Sequence, residues 1–250
     1  MDKQKKFVLV TGASSGIGRR IAIGLSDTYN VVLNGRDIGR LLETKEKCSS
    51  RTEQIIFQKD LCSLAGLENE VSTLITENNI EISQFVHCAG FMKMVPLKMV
   101  TIETINITFL TNIISAALII KLLINRKYNN SALKSVVLIS SNISNFGAKA
   151  FSIYGASKAG LDGLMRSLAI ELAPRVRINS VLPGAVKTTM TQTVFDDREI
   201  KKRMEATYPL GLGDGNDIFE IVQFLLSEKA RWITGQQITV DGGRTINISV

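Results

Sequence analysis

A chain of 250 residues, 45% hydrophobic and 21% charged, has enough apolar material for one sizeable core. Its net charge of +7 is scattered, with basic runs only at residues 3–6 and 201–203 and no interleaved aromatics. That excludes a nucleic-acid surface and leaves room for an acidic ligand or partner. The three cysteines, Cys48, Cys62 and Cys88, are odd in number and lack metal-ligand spacing. No metal site is expected, and free thiols suit a reducing, cytoplasmic compartment.

In chain order, β-like runs alternate with helical patterns. The lysine-rich start leads into a strand at 7–11, too short an apolar run for a secretory signal. A helix at 16–27 follows, then a strand at 31–34 and a helix opened by Asp37, a good N-cap, and running to about 49. A strand at 54–58 precedes a helix capped by Ser63 and reaching 77, and a fourth strand occupies 84–87. The most membrane-like stretch, 105–124, is interrupted by Asn106, Asn112 and Lys121. It reads as part of a long helix at 101–126, buried on both faces and partly against a second subunit, rather than as a membrane span. Next come a strand at 135–140, a helix at 152–173 and a strand at 177–182. A polar segment, a helix at 217–227 and a last strand at 237–240 complete the chain. This alternation implies right-handed crossovers and a doubly wound, Rossmann-type parallel α/β sheet of seven strands with helices on both faces. One domain spans 1–250, with ligands expected beyond the strand C-termini.

Directly after the first strand stands Thr11-Gly12-Ala13-Ser14-Ser15-Gly16-Ile17-Gly18, leading into a helix. Glycines let backbone amides approach a pyrophosphate, and a helix N-terminus favours its charge. The second strand ends Leu33-Asn34-Gly35-Arg36-Asp37, with no acid at 34–36 to accept ribose hydroxyls of NAD. Arg36 is placed to meet a 2′-phosphate, which points to NADP(H), and Asp37 is read as a helix cap. Asp60-Leu61 lies where adenine would sit, although Asp60 as a plain N-cap is an equal alternative.

The stretch from Ser140 to Glu171 carries the reaction chemistry. Tyr154 and Lys158 stand four apart on a helix and so share a face, about 5–6 Å apart at Cβ. A neighbouring ammonium is expected to lower the phenol pKa and make an acid/base pair, with Ser141 bonding the same substrate oxygen.

In this order the pieces resemble the short-chain dehydrogenase/reductase family nearly end to end. TGASSGIG is similar to its TGxxxGxG cofactor loop, and Ser141, Tyr154 and Lys158 match its Ser–Tyr–Lys set. Asn106, in Ile105-Asn106-Ile107-Thr108, matches its helix asparagine. Pro183-Gly184-Ala185-Val186-Lys187-Thr188 resembles the PGxxxT segment beside the nicotinamide, and residues 233–236 with 240–243 its C-terminal signature. The resemblance implies catalysis by Asn106, Ser141, Tyr154 and Lys158. It implies cofactor contacts from Gly12, Ser14, Ser15, Gly16, Ile17, Gly18, Arg36, Asp60 and Leu61, and from Ala89, Gly90, Tyr154, Lys158, Pro183, Gly184, Val186 and Thr188. His87-Cys88 departs from the asparagines usual after the fourth strand, and His87, the lone histidine, is read as structural.

Within the family the pattern is most similar to the 3-oxoacyl-carrier-protein reductases, implying a carbonyl substrate, small or carrier-bound, and a homotetramer or homodimer. A reductase for another alcohol or ketone is the alternative, and a non-catalytic dinucleotide-binding relative a lesser one. Enoyl reductases of the superfamily place six residues between Tyr and Lys, not the three found here. Arg126, Lys127 and Arg175 are candidates for docking an acidic carrier at the site mouth. A substrate lid is expected at about 187–210, with Met190, Phe195 and Met204.

Overall fold

The computed structural model describes residues 5–188 and 198–247. Among these, the apolar runs form seven strands: β1 (Lys5–Thr11), β2 (Asn30–Gly35), β3 (Gln54–Gln58), β4 (Ile80–His87), β5 (Ser135–Ile139), β6 (Arg177–Pro183) and β7 (Gln237–Val240). They pair in parallel in the order β3-β2-β1-β4-β5-β6-β7. The main helices are α1 (Gly16–Leu25), α2 (Ile38–Glu46), α3 (Leu67–Glu77), α4 (Ile102–Leu123), α5 (Ser152–Glu171), α6 (Arg198–Glu205) and α7 (Gly215–Leu226).

Successive strand side chains point to opposite faces, and the core divides accordingly. Phe7 and Leu9 of β1 pack with Val71, Ile119 and Leu161 of α3, α4 and α5. Val8 and Val10 pack with Ile21, Leu41 and Val222 of α1, α2 and α7. Because the chain winds outward from β1 to β3 and then crosses back to β4, a crevice opens beyond the carboxyl ends of β1 and β4.

Two elements begin well away from where the sequence reading placed them. β4 begins four residues early, and its register with β1 shifts between Phe7 and Val8. The side chain of Asn129 replaces a neighbouring strand there, accepting from Ile82 N at 2.7 Å and donating to Ile82 O at 2.8 Å. α3 begins at Leu67 rather than after Ser63, because residues 60–63 are tied in a turn in which Ser63 N donates to Asp60 O.

α4 is long and apolar enough to cross a membrane by length and composition. Its inner face (Ala116, Ile119, Ile120, Leu123) lies in the core, while Ile102 and Ile114 are exposed. A π-helical turn at Leu110–Ile114 interrupts it, a feature that composition does not announce.

Candidate active site

The glycine loop brings β1 to α1 past the end of β4. Gly12 has φ +69°, and a Cβ there would stand 2.8 Å from Ala89 N. A Cβ on Gly18 would overlap the Gly12 carbonyl. Larger residues would push the loop off the sheet. α1 has neither a side-chain cap nor an acid in its first turn, so its leading amides suit an anion. Ser14, Ser15, Gly16 and Ile17 line a cavity of about 1060 Å³ together with Gly12 and Gly18. From the opposite wall, Thr188 packs 3.2 Å from where a Gly16 Cβ would be. A dinucleotide pyrophosphate fits this cradle.

At one end of the cavity lie Arg36, Asp60 and Leu61. Arg36 is exposed, and its carbonyl accepts from Gln58 Nε2 at 3.2 Å. The Asp37 carboxylate caps α2, accepting from Arg40 N at 3.0 Å and standing 3.6 Å from Arg40 Nε. Asp60 Oδ1 accepts from Cys62 N at 3.0 Å, closing a turn. Arg40, which also lines this end, was not anticipated from the sequence.

The turn after β4 explains how His87-Cys88 is accommodated. Thr11 Oγ1 donates to His87 Nδ1 at 3.0 Å and accepts from Cys88 N and Ala89 N at 3.1 and 3.2 Å. His87 Nε2 donates to Thr111 O at 3.2 Å, within the π-helical turn of α4. One neutral imidazole thus ties β1, β4 and α4. Burial, with Lys158 adding to it, pushes the His87 pKa down to about 3. Burial likewise pushes the Cys88 thiol up to about 12. Ala89 and Gly90 line the cavity, as do Pro183, Gly184 and Val186 across from them.

Ser141, Tyr154 and Lys158 converge on the same space. Lys158 is 4% exposed; its Nζ donates to Ile139 O at 2.8 Å and lies 5.8 Å from the Tyr154 ring centroid. The Ser141 hydroxyl accepts from Ile143 N at 3.3 Å and hydrogen-bonds the Tyr154 phenol. The expected lowering of the phenol pKa is not what the structure gives. Burial outweighs the Ser141 hydrogen bond and pushes Tyr154 up to about 12, while burial pulls Lys158 down to about 8. Each group is shifted toward its neutral form.

Asn106 does not join them. It is exposed on α4 and outside the cavity lining, six residues and therefore about a third of a turn in azimuth from the inward stripe at Asn112. Asn112 is fully buried: its Oδ1 accepts from Phe91 N at 2.7 Å, and its Nδ2 donates to Phe91 O at 3.1 Å and to Ser157 Oγ at 2.8 Å. A Cβ on Gly90 would lie 3.6 Å from both Asn112 Oδ1 and Lys158 Nζ, so Asn112 occupies the place assigned to Asn106.

The remaining wall is mostly apolar: Phe91, Met92, Met94, Ile143, Phe151 and Met204 surround the Ser141–Tyr154 end. Tyr208 joins it, its hydroxyl accepting from Ala185 N at 2.9 Å. Of the expected lid, residues 189–197, including Met190 and Phe195, lie outside the described residues; Met204 on α6 and Tyr208 do reach the cavity. Arg126, Lys127 and Arg175 are exposed but sit at the opposite end of the strands from this cavity. α4 and α5 run antiparallel to the strands, so their C-terminal ends lie where β5 and β6 begin, near Lys134 and Arg177. Lys93, between the lining residues Met92 and Met94, and Lys149, two residues before Phe151, are exposed cations on loops joined by Val95 N donating to Ala150 O at 2.9 Å.

A family model described as enoyl-(acyl carrier protein) reductase matches residues 12–245. The 3-oxoacyl-[acyl-carrier-protein] reductase of Staphylococcus aureus (strain Mu50) is 35% identical over 96% of this chain and 98% of its own length. A glucose 1-dehydrogenase of Gluconobacter oxydans (strain 621H) is 30% identical over 96% and 92%. Among solved structures, a short-chain alcohol dehydrogenase from Sinorhizobium meliloti 1021 superposes with a TM-score of 0.90 at 28% identity, covering 99% of both chains.

Two measurements check this geometry. Urea denaturation should show Asn112→Ala destabilised by about 3 kcal/mol, because three buried partners lose their bonds, whereas Asn106→Ala changes stability by less than about 0.5 kcal/mol. His87 has a folded pKa below its ordinary 6.5, so the unfolded chain takes up its proton first and stability is lost as pH falls from 6.5 toward 3. About 2 kcal/mol should disappear between neutral pH and pH 5, and His87→Asn should remove that slope.

Proposed function

This chain belongs to the short-chain dehydrogenase/reductase family, and from that premise we propose that it is an NADPH-dependent carbonyl reductase acting on 3-oxoacyl thioesters. The observation that carries this reading is the meeting of the Ser141 and Tyr154 hydroxyls beside Lys158 at the apolar end of a cavity whose other end presents Arg36 and a carboxylate, Asp37, already engaged as a cap. A bound nicotinamide supplies the hydride. Ser141 holds the substrate carbonyl oxygen and Tyr154 gives it a proton. A phenol held near 12 stays protonated at neutral pH, which suits a proton donor to a nascent alkoxide. Lys158 remains mostly charged at neutral pH with its pKa near 8, and its ammonium stabilises the phenolate left behind. Asn112 fixes the Phe91 backbone and Ser157, and so holds the floor of the site.

Arg36 and Arg40 are the guanidinium groups offered to a 2′-phosphate. The methionines and phenylalanines around Tyr154 suit an acyl chain better than a polyol, whose hydroxyls would need polar partners. Lys93 and Lys149 at the mouth suit the phosphates of a coenzyme A or carrier arm. A sugar or other alcohol dehydrogenase is the second reading, favoured by the relative named glucose 1-dehydrogenase. The assembly proposed is a homotetramer pairing α4 and α5 about two-fold axes, which would bury Ile114. Antiparallel pairing of those helices brings the Arg126, Lys127 and Arg175 end of one chain toward the partner's cavity.

Absorbance of the reduced nicotinamide tests the reading. Acetoacetyl-CoA should be turned over with NADPH at a kcat/KM at least about tenfold above glucose or ribitol, and Arg36→Asp should weaken NADPH about 10²-fold while changing NADH by less than about threefold. Equal losses for both nucleotides contradict the cofactor assignment; turnover of polyols alone contradicts the substrate.

A further inference from the structure

Asp162 stands one helical turn beyond Lys158 on α5, and both side chains point inward, 1% and 4% exposed. A carboxylate at that depth is costly unless it is hydrogen-bonded or opposed by charge. Its Oδ2 accepts from Ser140 Oγ at 3.0 Å, and its Oδ1 is buried without a hydrogen-bond partner. Ser140 is held at the end of β5, where its amide donates to Val181 O at 2.8 Å and its hydroxyl lies 3.3 Å from Lys158 O. The same strand end fixes Lys158, through Ile139 O. Ser140 and Ile139 therefore lock carboxylate and ammonium into one rigid arrangement behind the cavity wall.

The other ionisable groups near Lys158 are Tyr154 on its own helix and His87 and Cys88 at the end of β4. Burial keeps all three neutral at neutral pH. From β5 and the π-helical turn of α4, the groups turned toward this space are uncharged hydroxyls and amides such as Ser140, Ser141 and Asn112. We propose that Asp162 is a positioning residue for Lys158: a buried carboxyl group, oriented by Ser140 and one helical turn away, that favours the ammonium form of the lysine. Burial is what pulls Lys158 down, and Cys88 and Asp162 oppose it; burial keeps Cys88 a neutral thiol, so among the described residues the carboxyl group of Asp162 is the partner that remains. The consequence for catalysis rests on the role given to Lys158 above, whereas the charge coupling does not.

The test reads Lys158 directly. Protein carrying 15N at its lysine side-chain nitrogens is titrated by NMR, with the Lys158 signal identified by its loss in Lys158→Ala. The midpoint should lie near 8 in the unaltered protein. In Asp162→Asn it should fall by about one pKa unit or more, and a fall of less than about 0.3 would overturn the proposal. Should Asp162→Asn fail to fold, the double variant Ser140→Ala/Asp162→Leu removes both polar partners at similar volume, and the same shift is expected. A shifted titration in a protein that turns over no ketone would refute the proposed reaction and leave this coupling standing. A working reductase with an unshifted lysine would do the reverse.

Discussion

The hydrogen bonds made by the Asn112 side chain join three elements that the chain builds far apart. Oδ1 and Nδ2 grip both backbone groups of Phe91, just after β4, and Nδ2 also reaches Ser157, one residue before Lys158. This happens at a π-helical turn, where the regular i→i−4 ladder of α4 is broken and Thr111 O accepts from His87 Nε2 as well as from Ser115 Oγ. Two strands, the irregular turn and the Tyr–Lys helix are thereby registered on one another. Removing the amide would leave buried backbone groups unpaired, which costs more than the bonds themselves contribute.

Burial then sets the electrostatics. Tyr154 and Lys158 are both pushed toward neutrality by loss of water, the phenol up and the ammonium down. The phenol therefore holds its proton until a strongly basic oxygen is placed against it, and an alkoxide formed from a ketone is such an oxygen. The lysine ammonium, cut off from solvent, donates to Ile139 O. A proton donor poised in this way belongs with a pre-formed crevice, which the winding reversal at β1 and β4 provides.

Much of this was legible in the sequence, for identifiable reasons. Short, mostly continuous apolar runs became β1, β2, β3 and β5 to β7 within a few residues, and Asp37 caps α2 as its side-chain chemistry dictates. Thr11 to Gly18 forms its loop because only glycine fits where Gly12 and Gly18 meet neighbouring backbone. The asparagine was misplaced because α4 holds two, and matching short text chose the outer one. The buried stripe Thr104, Thr108, Asn112, Ala116 and Ile119 was present as a helical repeat and would have singled out Asn112. By contrast, nothing local predicts that His87 closes on Thr11, 76 residues away, or that Asn129 stands in for a strand beside Ile82. For a related reason Arg126, Lys127 and Arg175 do not stand at the mouth of their own chain's cavity: residues near the reactive helix in sequence lie at its far end in space.

The central claim is that the Tyr154 hydroxyl delivers the proton to the substrate oxygen. Single-turnover reduction of acetoacetyl-CoA by Tyr154→Phe, compared with the unaltered protein at neutral pH under saturating NADPH, tests it most directly. The account predicts a rate at least about 10²-fold lower with NADPH affinity held within about threefold. A Tyr154→Phe protein that reduces the ketone at an undiminished rate would contradict it.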